Sequence, residues 1–560
     1  MKVVLVGINS QYFHSNLAIR YLKAFNKDLN CEIILKEFTI NDRKENIVKE
    51  LYKENADMIG FSTYIWNVTL VKEISELLKI INENIEIFYG GPEVSYDPIE
   101  ILKEFSGDYI IEGEGEETFR EFLIEKLKNR GNEKLFEIKG LYTKVDNEII
   151  YGGKRPLMNM NNLVFPYEED EDLRNKIAYY EGSRGCPFMC SYCLSSTTHG
   201  VRFLDIDRVK RELKYFVDKD VALVKFVDRT FNCNHKFAKE IWSYLIECGG
   251  NTTFHFEISA DLLTKEEIEI LSKAPKDKFQ FEVGVQTTNN EVLRNINRFV
   301  NYENIKEKVD EIKKYKNIKQ HLDLIAGLPG EDLDSFIKSF NDVYYIEPEE
   351  IQLGFLKLLK GSKMREESEK WGMKASPYPP YEILYNKKIS YKNILLLKKV
   401  EEMVDKYYNA GKFDISIKFL LKYFKTPFDF YKTLGEFYEE KGYFKRNISN
   451  TDYYKVLLDF SLEIIKKDVD IFLNLLKHEY LLYNKKKWLP DFLERIYLDK
   501  KVEKDLRKSL AKQDHIELYN YDVLKLIRED IISMEKNVLI YYHNGKVDSI
   551  PLTDYQNKNN

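Results

Sequence analysis

The sequence has little glycine and proline, few cysteines and no long hydrophobic run. Only 26 glycines and 14 prolines occur among 560 residues, which excludes collagen-like and low-complexity proteins. No uninterrupted apolar stretch approaches the roughly 18 residues that a membrane-spanning helix needs. The first residues, MKVVLVGINSQ, contain no small-residue cleavage site for a signal peptidase. We therefore expect a cytoplasmic protein.

The charges of the chain are nearly balanced. The 86 Lys and Arg residues against 92 Asp and Glu residues give a formal charge of -6, so there is no electrostatic reason to expect duplex nucleic acid as a partner. Hydrophobic residues make up 44% of the chain, which excludes intrinsic disorder. At about 150 residues per domain, the length suggests three or four domains. We expect a globular protein that acts on a small molecule.

Three segments of the chain differ in their hydrophobic pattern. Residues 1–145 alternate strand-like and helix-like runs, which predicts an open, doubly wound parallel sheet with its ligand at the carboxyl ends of the strands. Residues 146–368 hold six further strand-like runs, which predicts a partial (β/α)6 barrel, two units short of a TIM barrel. Residues 369–560 show helical apolar spacing and end with a hairpin signal at Asn544-Gly545. The predicted fold class is therefore α/β, with a mainly helical carboxyl-terminal domain.

Three of the six cysteines lie within eight residues. Cys186, Cys190 and Cys193 have the spacing C-x3-C-x2-C directly after the first predicted barrel strand. Because the cytosol keeps thiols reduced, disulfides are not expected. Three thiolates leave one coordination position open, which favours an iron–sulfur cluster over a closed zinc site with four protein ligands. His199, six residues further on, keeps zinc open as an alternative.

Polar and apolar side chains alternate along three consecutive barrel strands. His255, Glu257 and Asp261 share one face of FHFEISAD, and Glu282 and His321 repeat the pattern in the next two strands. Because the apolar face must pack under the outer helices, we expect the polar face to point into the barrel. A polar interior predicts a ligand cavity, since a small closed barrel is normally filled with branched apolar residues. The alternative is a set of solvent-exposed faces in an ordinary sheet.

The cysteine pattern, with Tyr192 before the last cysteine and a partial barrel after it, resembles the radical S-adenosylmethionine superfamily. The resemblance implies that Cys186, Cys190 and Cys193 hold a [4Fe–4S] cluster whose remaining iron binds S-adenosylmethionine. One-electron cleavage of that cofactor would give a 5'-deoxyadenosyl radical, which takes a hydrogen atom from the substrate. Such a radical has to be made in a cavity that excludes water, because otherwise it is quenched.

The resemblance also implies roles for residues on the later barrel strands. Glu257 lies where the superfamily contacts the methionine or ribose portion of the cofactor, and residues 323–331 (DLIAGLPGE) resemble the segment that lines the adenine. The cofactor-binding candidates are Tyr192, Glu257, Gln286, Arg298, Ile325 and Gly327. The catalytic or substrate-contacting candidates are Glu257, Asp228, Arg229, His255, Asp261, Glu282 and His321. For each of them the alternative is an ordinary structural hydrogen bond, or an ion pair in the case of Asp228 and Arg229.

The segment before the barrel resembles the cobalamin-binding branch of the superfamily. Residues 90–93 (GGPE) and 112–116 (EGEGE) are similar to loops of that branch. The motif D-x-H-x-x-G, in which the His ligates cobalt, is missing, and His14 lacks its Asp and Gly partners. Cobalamin binding therefore stays open, and a retained domain that binds substrate or nothing is slightly favoured. Tyr64 and Trp66 could flank a flat ligand or pack at a domain interface.

The order of the three segments resembles a subgroup whose tail domain has no assigned function. Within this subgroup the resemblance implies a queuine lyase, which releases queuine from a queuosine-derived nucleoside. The alternative is a cobalamin-dependent radical methyltransferase, and a third hypothesis is a non-catalytic iron–sulfur carrier or zinc-bound scaffold. The expected partners are a nucleoside or modified-base substrate and an electron donor such as flavodoxin or ferredoxin, without a membrane or duplex nucleic acid.

Overall fold

A computed structural model describes residues 1–128, 132–146, 148–174, 176–198, 200–486 and 488–552. Its contacts divide the chain into two units. The first unit consists of Met1–Pro348 and Leu353–Ile394, and the second of Glu349–Gln352 and Leu395–Asn560. Every helix within the described ranges is too short or too polar to cross a bilayer. The α/β class is confirmed, whereas the boundaries of the three predicted domains stay a prediction.

A seven-stranded sheet forms the amino-terminal part of the first unit. Its strands are β1 (Lys2–Asn9), β2 (Glu32–Thr39), β3 (Met58–Ser62), β4 (Glu86–Gly90), β5 (Tyr109–Ile111), β6 (Leu141–Val145) and β7 (Glu148–Tyr151). The order is β2-β1-β3-β4-β5-β6-β7; the first five are parallel, and the hairpin β6–β7 adds to the β5 edge in antiparallel fashion. The helices between them are α1 (Leu17–Phe25), α2 (Lys44–Lys53), α3 (Val68–Ile81), α4 (Pro92–Ser95), α5 (Pro98–Glu104) and α6 (Glu116–Leu127). The predicted doubly wound sheet is confirmed, and the hairpin β6–β7 extends it to Tyr151.

Both faces of this sheet are covered, as its apolar strands indicate. In β1, Val4 and Val6 belong to the apolar core on one face, and Val3 and Leu5 to the core on the other. A parallel strand that is buried on both faces carries a near-continuous apolar run, which explains the sequence KVVLVGI. Polar loops can therefore gather only at the ends of the strands.

A six-stranded sheet follows along the chain and forms the predicted partial barrel. Its strands are β8 (Ile177–Tyr180), β11 (Leu223–Phe226), β12 (Thr253–Ile258), β13 (Phe279–Gln286), β14 (Lys319–Ala326) and β15 (Glu350–Phe355), and the short pair β9 (Ser183–Gly185) and β10 (Val201–Phe203) follows β8. The order is β15-β14-β13-β12-β11-β8. Because β8 and β15 stand at opposite ends of this order, the barrel does not close.

Helices alternate with the barrel strands and cover their apolar face. They are α7 (Ile206–Asp218), α8 (His235–Cys248), α9 (Lys265–Ser272), α10 (Asn290–Asn295), α11 (Tyr302–Lys313), α12 (Leu333–Tyr344) and α13 (Lys363–Glu366). A small antiparallel pair, β16 (Lys374–Ala375) and β17 (Ile383–Tyr385), comes after them. Phe254, Phe256 and Phe281 of the strands are fully buried. The two-residue alternation thus predicted correctly which side of these strands is apolar.

The antiparallel pair β9–β10 closes the base of the cysteine loop, which consists of residues 186–200. In this pair Arg184 lies opposite Arg202, and Gly185 lies opposite Val201. Gly185 has a φ of 104°, and a Cβ atom there would come within 2.1 Å of the carbonyl oxygen of Gly200. Only glycine therefore permits this close crossing of the two strands.

The second unit is mainly helical, as predicted. Its helices are the carboxyl-terminal part of α14 (Tyr391–Met403), α15 (Asp414–Leu421), α16 (Pro427–Glu440), α17 (Asn450–Phe460), α18 (Val469–Tyr483), α19 (Lys500–Arg507) and α20 (Val523–Glu529). An antiparallel sheet contains β18 (His515–Tyr519), β19 (Asn537–Tyr541) and β20 (Val547–Pro551). The hairpin predicted at Asn544-Gly545 joins β19 to β20, and Gly545 has a φ of 87° there.

Candidate functional site

The cysteine loop begins at the carboxyl end of the first barrel strand. Cys190 is buried, and Cys186 and Cys193 are half-buried. The loop is tied to the barrel by Ser191, whose backbone N–H donates to the carbonyl oxygen of Ile296 at 2.9 Å. Within the described residues, no three Cys, His, Asp or Glu side chains are already close enough to share one metal ion. A [4Fe–4S] cluster does not need such a group, because each of its cysteine ligands binds a different iron.

The chemistry around the loop fits an iron–sulfur cluster. All three thiols are free of disulfides. Arg298 places Nη1 3.9 Å from Cys190 Sγ, and its Nη2 donates to the carbonyl oxygen of Gly284 at 2.6 Å. Burial raises the pKa of the Cys190 thiol, and the Arg298 guanidinium opposes that shift. The loop thus offers soft sulfur donors beside a fixed cation. His199, the alternative zinc ligand, lies outside the described residues.

Two cofactor-binding candidates lie together beside the loop and carry unused polar atoms. A Cβ atom on Gly284 would meet both Gln286 Nε2, at 2.3 Å, and Arg298 Nη2, at 3.7 Å. Gln286 Oε1 and Arg298 Nε are buried and have no hydrogen-bond partner among the described residues. Buried polar atoms without partners are rare in native proteins, so these two atoms fit contact with a polar ligand.

The remaining cofactor-binding candidates lie on either side of this pair. Tyr192 stands within the loop, where burial raises the pKa of its phenol and Arg298 opposes the shift. Ile325 is half-buried on β14. Gly327 follows β14 with a φ of 89°, and its carbonyl oxygen accepts a hydrogen bond of 2.9 Å from Asn386 Nδ2. The roles of these residues in binding S-adenosylmethionine stay predictions.

Several of the predicted interior residues come together. His255 Nε2 lies 3.0 Å from Glu282 Oε2, and the His255 and His321 rings are 5.8 Å apart. The hydrogen bond from His255 lowers the pKa of Glu282. Lys225, which the sequence analysis did not single out, pairs in register with His255. Its ammonium group also lowers the pKa of Glu282.

Glu257 forms a second interior group with Arg229. Their closest side-chain atoms, Arg229 Nη1 and Glu257 Oε1, are 3.7 Å apart. Burial raises the pKa of Glu257 to about 7, and Arg229 opposes this shift. Arg229 is 55% exposed at the mouth of the barrel, so it remains accessible to a ligand.

Asp228 and Asp261 are the two remaining catalytic candidates. Asp228 is buried and accepts hydrogen bonds from Gly182 N–H at 2.9 Å and from the Ser183 hydroxyl at 2.5 Å. Burial raises its pKa to about 7. Asp261 lies in the helical turn Ala260–Leu262, because the strand ends at Ile258 before the alternation reaches it. The two-residue alternation therefore does not extend to Asp261, and the roles of both residues in catalysis stay predictions.

A cavity of about 780 Å³ lies at the carboxyl edge of the amino-terminal sheet. The loops that the sequence analysis expected at this edge converge there, together with residues that surround the cysteine loop. The lining includes Asn9, His14, Ser62, Tyr64, Trp66, Gly90, Gly91, Gly113, Glu114, Gly115, Glu116, Tyr179, Glu181, Arg184, Leu194, Arg202 and Arg229. The cavity is therefore shared by the amino-terminal sheet and the barrel.

The lining of this cavity fits a large flat ligand. The Tyr64 and Trp66 rings are stacked, with centroids 4.5 Å apart and planes 5° apart. Several glycines also belong to the lining. Gly91 has a φ of 109°, and a Cβ atom there would approach the Thr63 carbonyl oxygen to 2.5 Å. His14 Nδ1 is already hydrogen-bonded to Tyr179 at 2.5 Å. The cavity thus offers aromatic rings and glycine backbone, whereas the sequence lacks the D-x-H-x-x-G motif.

Sequence analysis missed the ion pairs that join this cavity to the cysteine loop. Arg184 and Arg202 pair with acidic residues of the segment EGEGE. The sequence analysis noted the cysteine loop between these arginines for its C-x3-C-x2-C spacing, and the acidic segment for its similarity to a cobalamin-binding loop. Pairing between charges far apart in a chain leaves no local pattern, so no signal in a single sequence could have joined them.

Three family models match the chain. The model of the radical SAM superfamily matches residues 180–343, and that of the B12 binding domain matches residues 3–123. A model described as a protein of unknown function, DUF4080, matches residues 369–541. The radical SAM match includes the cysteine loop and most of the barrel. The B12-binding match includes the strands and loops of the amino-terminal sheet that line the cavity.

Curated relatives resemble parts of the chain. The uncharacterized methyltransferase PH0819 of Pyrococcus horikoshii is 30% identical over 35% of this chain and 44% of its own length. The cobalamin-dependent radical SAM methyltransferase TokK of Streptomyces tokunonensis is 24% identical over 58% of this chain and 50% of its own length. The chain thus spans about half the length of these relatives.

Solved structures with the same fold include two that contain cobalamin. The cobalamin-dependent S-adenosylmethionine radical enzyme OxsB, solved with aqua-cobalamin and S-adenosylmethionine, has a TM-score of 0.59, 17% identity and coverage of 90% of this chain and 81% of its own. The radical S-adenosylmethionine methyltransferase TsrM of Kitasatospora setae, solved with cobalamin and a [4Fe–4S] cluster, has a TM-score of 0.56, 14% identity and coverage of 68% and 78%. At these identities the likeness supports the fold alone.

Proposed function

We propose that this chain, which belongs to the radical SAM superfamily and carries an amino-terminal B12-binding domain, is a cobalamin-dependent methyltransferase of small molecules. The observation that carries the proposal is the shared cavity, since its walls come both from the B12-binding domain and from the surroundings of the cysteine loop. Methyl transfer to a substrate in the barrel needs such a direct connection between the two cofactor sites.

The relatives favour methyl transfer over base release. PH0819 and TokK are both described as methyltransferases, whereas the queuine-lyase interpretation gains no support from them. The slight preference for a domain without cobalamin also loses its basis, because the B12-domain match and the glycine-lined cavity both favour a corrinoid ligand. We therefore adopt the alternative function in place of the lyase.

The proposal assigns separate tasks to the residues of the first unit. When bound, the cluster supplies an electron to S-adenosylmethionine, and the corrinoid supplies a methyl group. Cys186, Cys190 and Cys193 would hold the cluster, and Gln286 and Arg298 would orient S-adenosylmethionine through their unused polar atoms. The backbone around the cavity glycines would hold the corrinoid. His255, Glu282 and His321 would bind the substrate inside the barrel, away from bulk water.

The experiment that tests this function uses the full chain, reconstituted anaerobically with iron, sulfide and hydroxocobalamin. With a one-electron donor and methyl-labelled S-adenosylmethionine, we expect label to enter a small molecule of a deproteinised cell extract only when cobalamin is present. Queuosine nucleosides form a parallel sample. Release of queuine without labelled product would overturn the methyltransferase proposal and restore the lyase. The cytoplasmic location and the identity of the electron donor stay predictions.

Substituting Gly91 tests the corrinoid site on its own. Gly91→Ala is expected to weaken hydroxocobalamin binding by about tenfold or more. The new Cβ atom would lie 2.5 Å from the Thr63 carbonyl oxygen, so the backbone that lines the cavity would have to move. Equilibrium dialysis measures this affinity. The matched control is Gly153→Ala, since Gly153 has a similar φ of 90° but nothing within 4 Å of a Cβ atom. If both variants bind hydroxocobalamin with equal affinity, Gly91 is not part of the corrinoid site.

A further inference from the structure

The two ends of the cysteine loop each carry an arginine that points to the B12-binding domain. Arg184 on β9 and Arg202 on β10 lie directly opposite each other in the antiparallel pair that closes the loop. Both line the cavity that this domain shares with the barrel. A shift of this strand pair would therefore move all three cysteines relative to the cavity.

Acidic residues of the EGEGE segment bind both arginines. Glu116 receives two hydrogen bonds from Arg184, with Nη2–Oε1 at 2.6 Å and Nη1–Oε2 at 3.3 Å. Glu114 binds Arg202 through both carboxylate oxygens and lies 3.8 Å from Arg184. Glu181, directly before the strand pair, accepts from Arg184 Nε at 2.9 Å. The base of the cysteine loop is thus hydrogen-bonded to the segment that follows β5 of the B12-binding domain.

Burial makes this network rigid. The side chains of Arg184 and Glu116 are 13% and 6% exposed. Arg202 also donates to the Met158 carbonyl oxygen at 2.7 Å. Forked arginine–carboxylate pairs fix orientation as well as distance, and removing one partner of a buried pair leaves an uncompensated charge. The network therefore has one favoured geometry.

We propose that Glu114 and Glu116 are positioning residues, which hold the cysteine loop at the place that reaction in the shared cavity requires. Both carboxylates line the shared cavity, and they act on the cysteine loop through Arg202 and Arg184. The proposal rests on the proposed function only for the identity of the cofactors. It predicts that the cluster still assembles without these carboxylates, but that S-adenosylmethionine no longer meets it correctly.

The test compares Glu116→Gln and Glu114→Gln with the unaltered protein, all reconstituted with iron and sulfide. We expect unchanged iron content, loss of the change that S-adenosylmethionine causes in the electron paramagnetic resonance spectrum of the reduced cluster, and slower 5'-deoxyadenosine formation. A misplacement of about 1 Å can cost about 100-fold in rate, so we expect a loss between about tenfold and 100-fold.

The matched control is Glu86→Gln. Glu86 pairs with Lys126 and accepts a hydrogen bond of 2.8 Å from Tyr109 in the same domain, away from the loop. It is expected to leave the spectrum and the rate unchanged. A double-mutant cycle of Glu114→Gln and Arg202→Gln adds a second criterion. If the two residues act through one ion pair, the rate of 5'-deoxyadenosine formation in the double variant should be no lower than in the slower single variant.

Glu114→Gln decides the proposal if Glu116→Gln does not fold, since Glu114 and Arg202 are about a quarter exposed and tolerate substitution better. A native rate and a native spectral change in Glu114→Gln would overturn the proposal, whatever Glu116→Gln does. Both readouts use only the cluster and S-adenosylmethionine. Failure of methyl transfer in the unaltered protein would therefore contradict the proposed function without affecting this result.

Discussion

Replacing Cys190 by alanine is expected to abolish 5'-deoxyadenosine formation. Cys190 is the buried member of the three cysteines and the one that lies 3.9 Å from the Arg298 guanidinium. Loss of one of three ligands leaves the cluster without a stable set of donors. Mutating a residue that only hydrogen-bonds to a metal ligand lowers metal affinity or activity by about 10- to 100-fold. We therefore expect removal of a ligand itself to lower the rate of 5'-deoxyadenosine formation by more than about 100-fold.

The measurement combines iron and sulfide analysis of the anaerobically reconstituted variant with chromatography of 5'-deoxyadenosine. The control is Cys233→Ala, which removes a half-buried thiol that lies outside the C-x3-C-x2-C pattern. Burial raises the pKa of the Cys233 thiol to about 11, which disfavours the thiolate that a metal ligand requires. Equal loss of iron in both variants, or one tightly bound zinc in the unaltered protein, would contradict the predicted cluster.

The two sheets could be predicted because their signals are local. β1 is buried on both faces, so its apolar run indicated a parallel strand within a covered sheet. β12 and β13 alternate with a period of two, which identified the interior face that carries His255 and Glu282. The cysteine spacing is equally local. Each of these features is contained in a short continuous stretch of the chain, so its pattern is visible in the sequence itself.

The parts of the site that the sequence did not reveal depend on contacts between distant residues. Glu114 and Arg202 are 88 positions apart, and nothing in either segment identifies its partner. The sequence leaves Asp228 open as a substrate contact or a member of an ion pair, whereas in the structure it accepts hydrogen bonds from Gly182 and Ser183, which follow the neighbouring strand β8. The surroundings of such a residue depend on the position at which its strand ends. Strand ends are the least certain result of reasoning from sequence.

Glu331 is expected to make the free energy of unfolding strongly dependent on pH. It ends the segment DLIAGLPGE, which resembles the adenine-lining stretch, but its side chain is buried. Thr287 donates to Glu331 Oε1 at 2.5 Å, and Oε2 has no hydrogen-bond partner among the described residues. Burial raises the pKa of Glu331 to about 7, against the opposing effect of the surrounding hydroxyl groups. Ser335 and Ser339 of α12 also donate to Oε1, so the carboxyl group of Glu331 lies in the packing between the end of β13 and α12.

The direction of the pH effect follows from proton binding. Between about pH 4.5 and 7 the folded protein keeps this proton and the unfolded chain releases it, so stability falls as the pH rises. The stabilising contribution is complete below about pH 4.5 and is lost above about pH 7; a shift from 4.5 to about 7 corresponds to about 3 kcal/mol.

The Glu331→Gln variant should lack this part of the pH dependence, because glutamine does not titrate. Chemical unfolding at a series of pH values between about 5 and 8 measures the difference between variant and unaltered protein, which cancels the contributions of Asp228 and Glu257, whose pKa values are also raised. Glu291→Gln, at an exposed position of α10, is the control and should leave the dependence unchanged. If Glu331→Gln leaves it unchanged as well, the pKa of Glu331 is not raised in the folded protein, and this prediction is wrong.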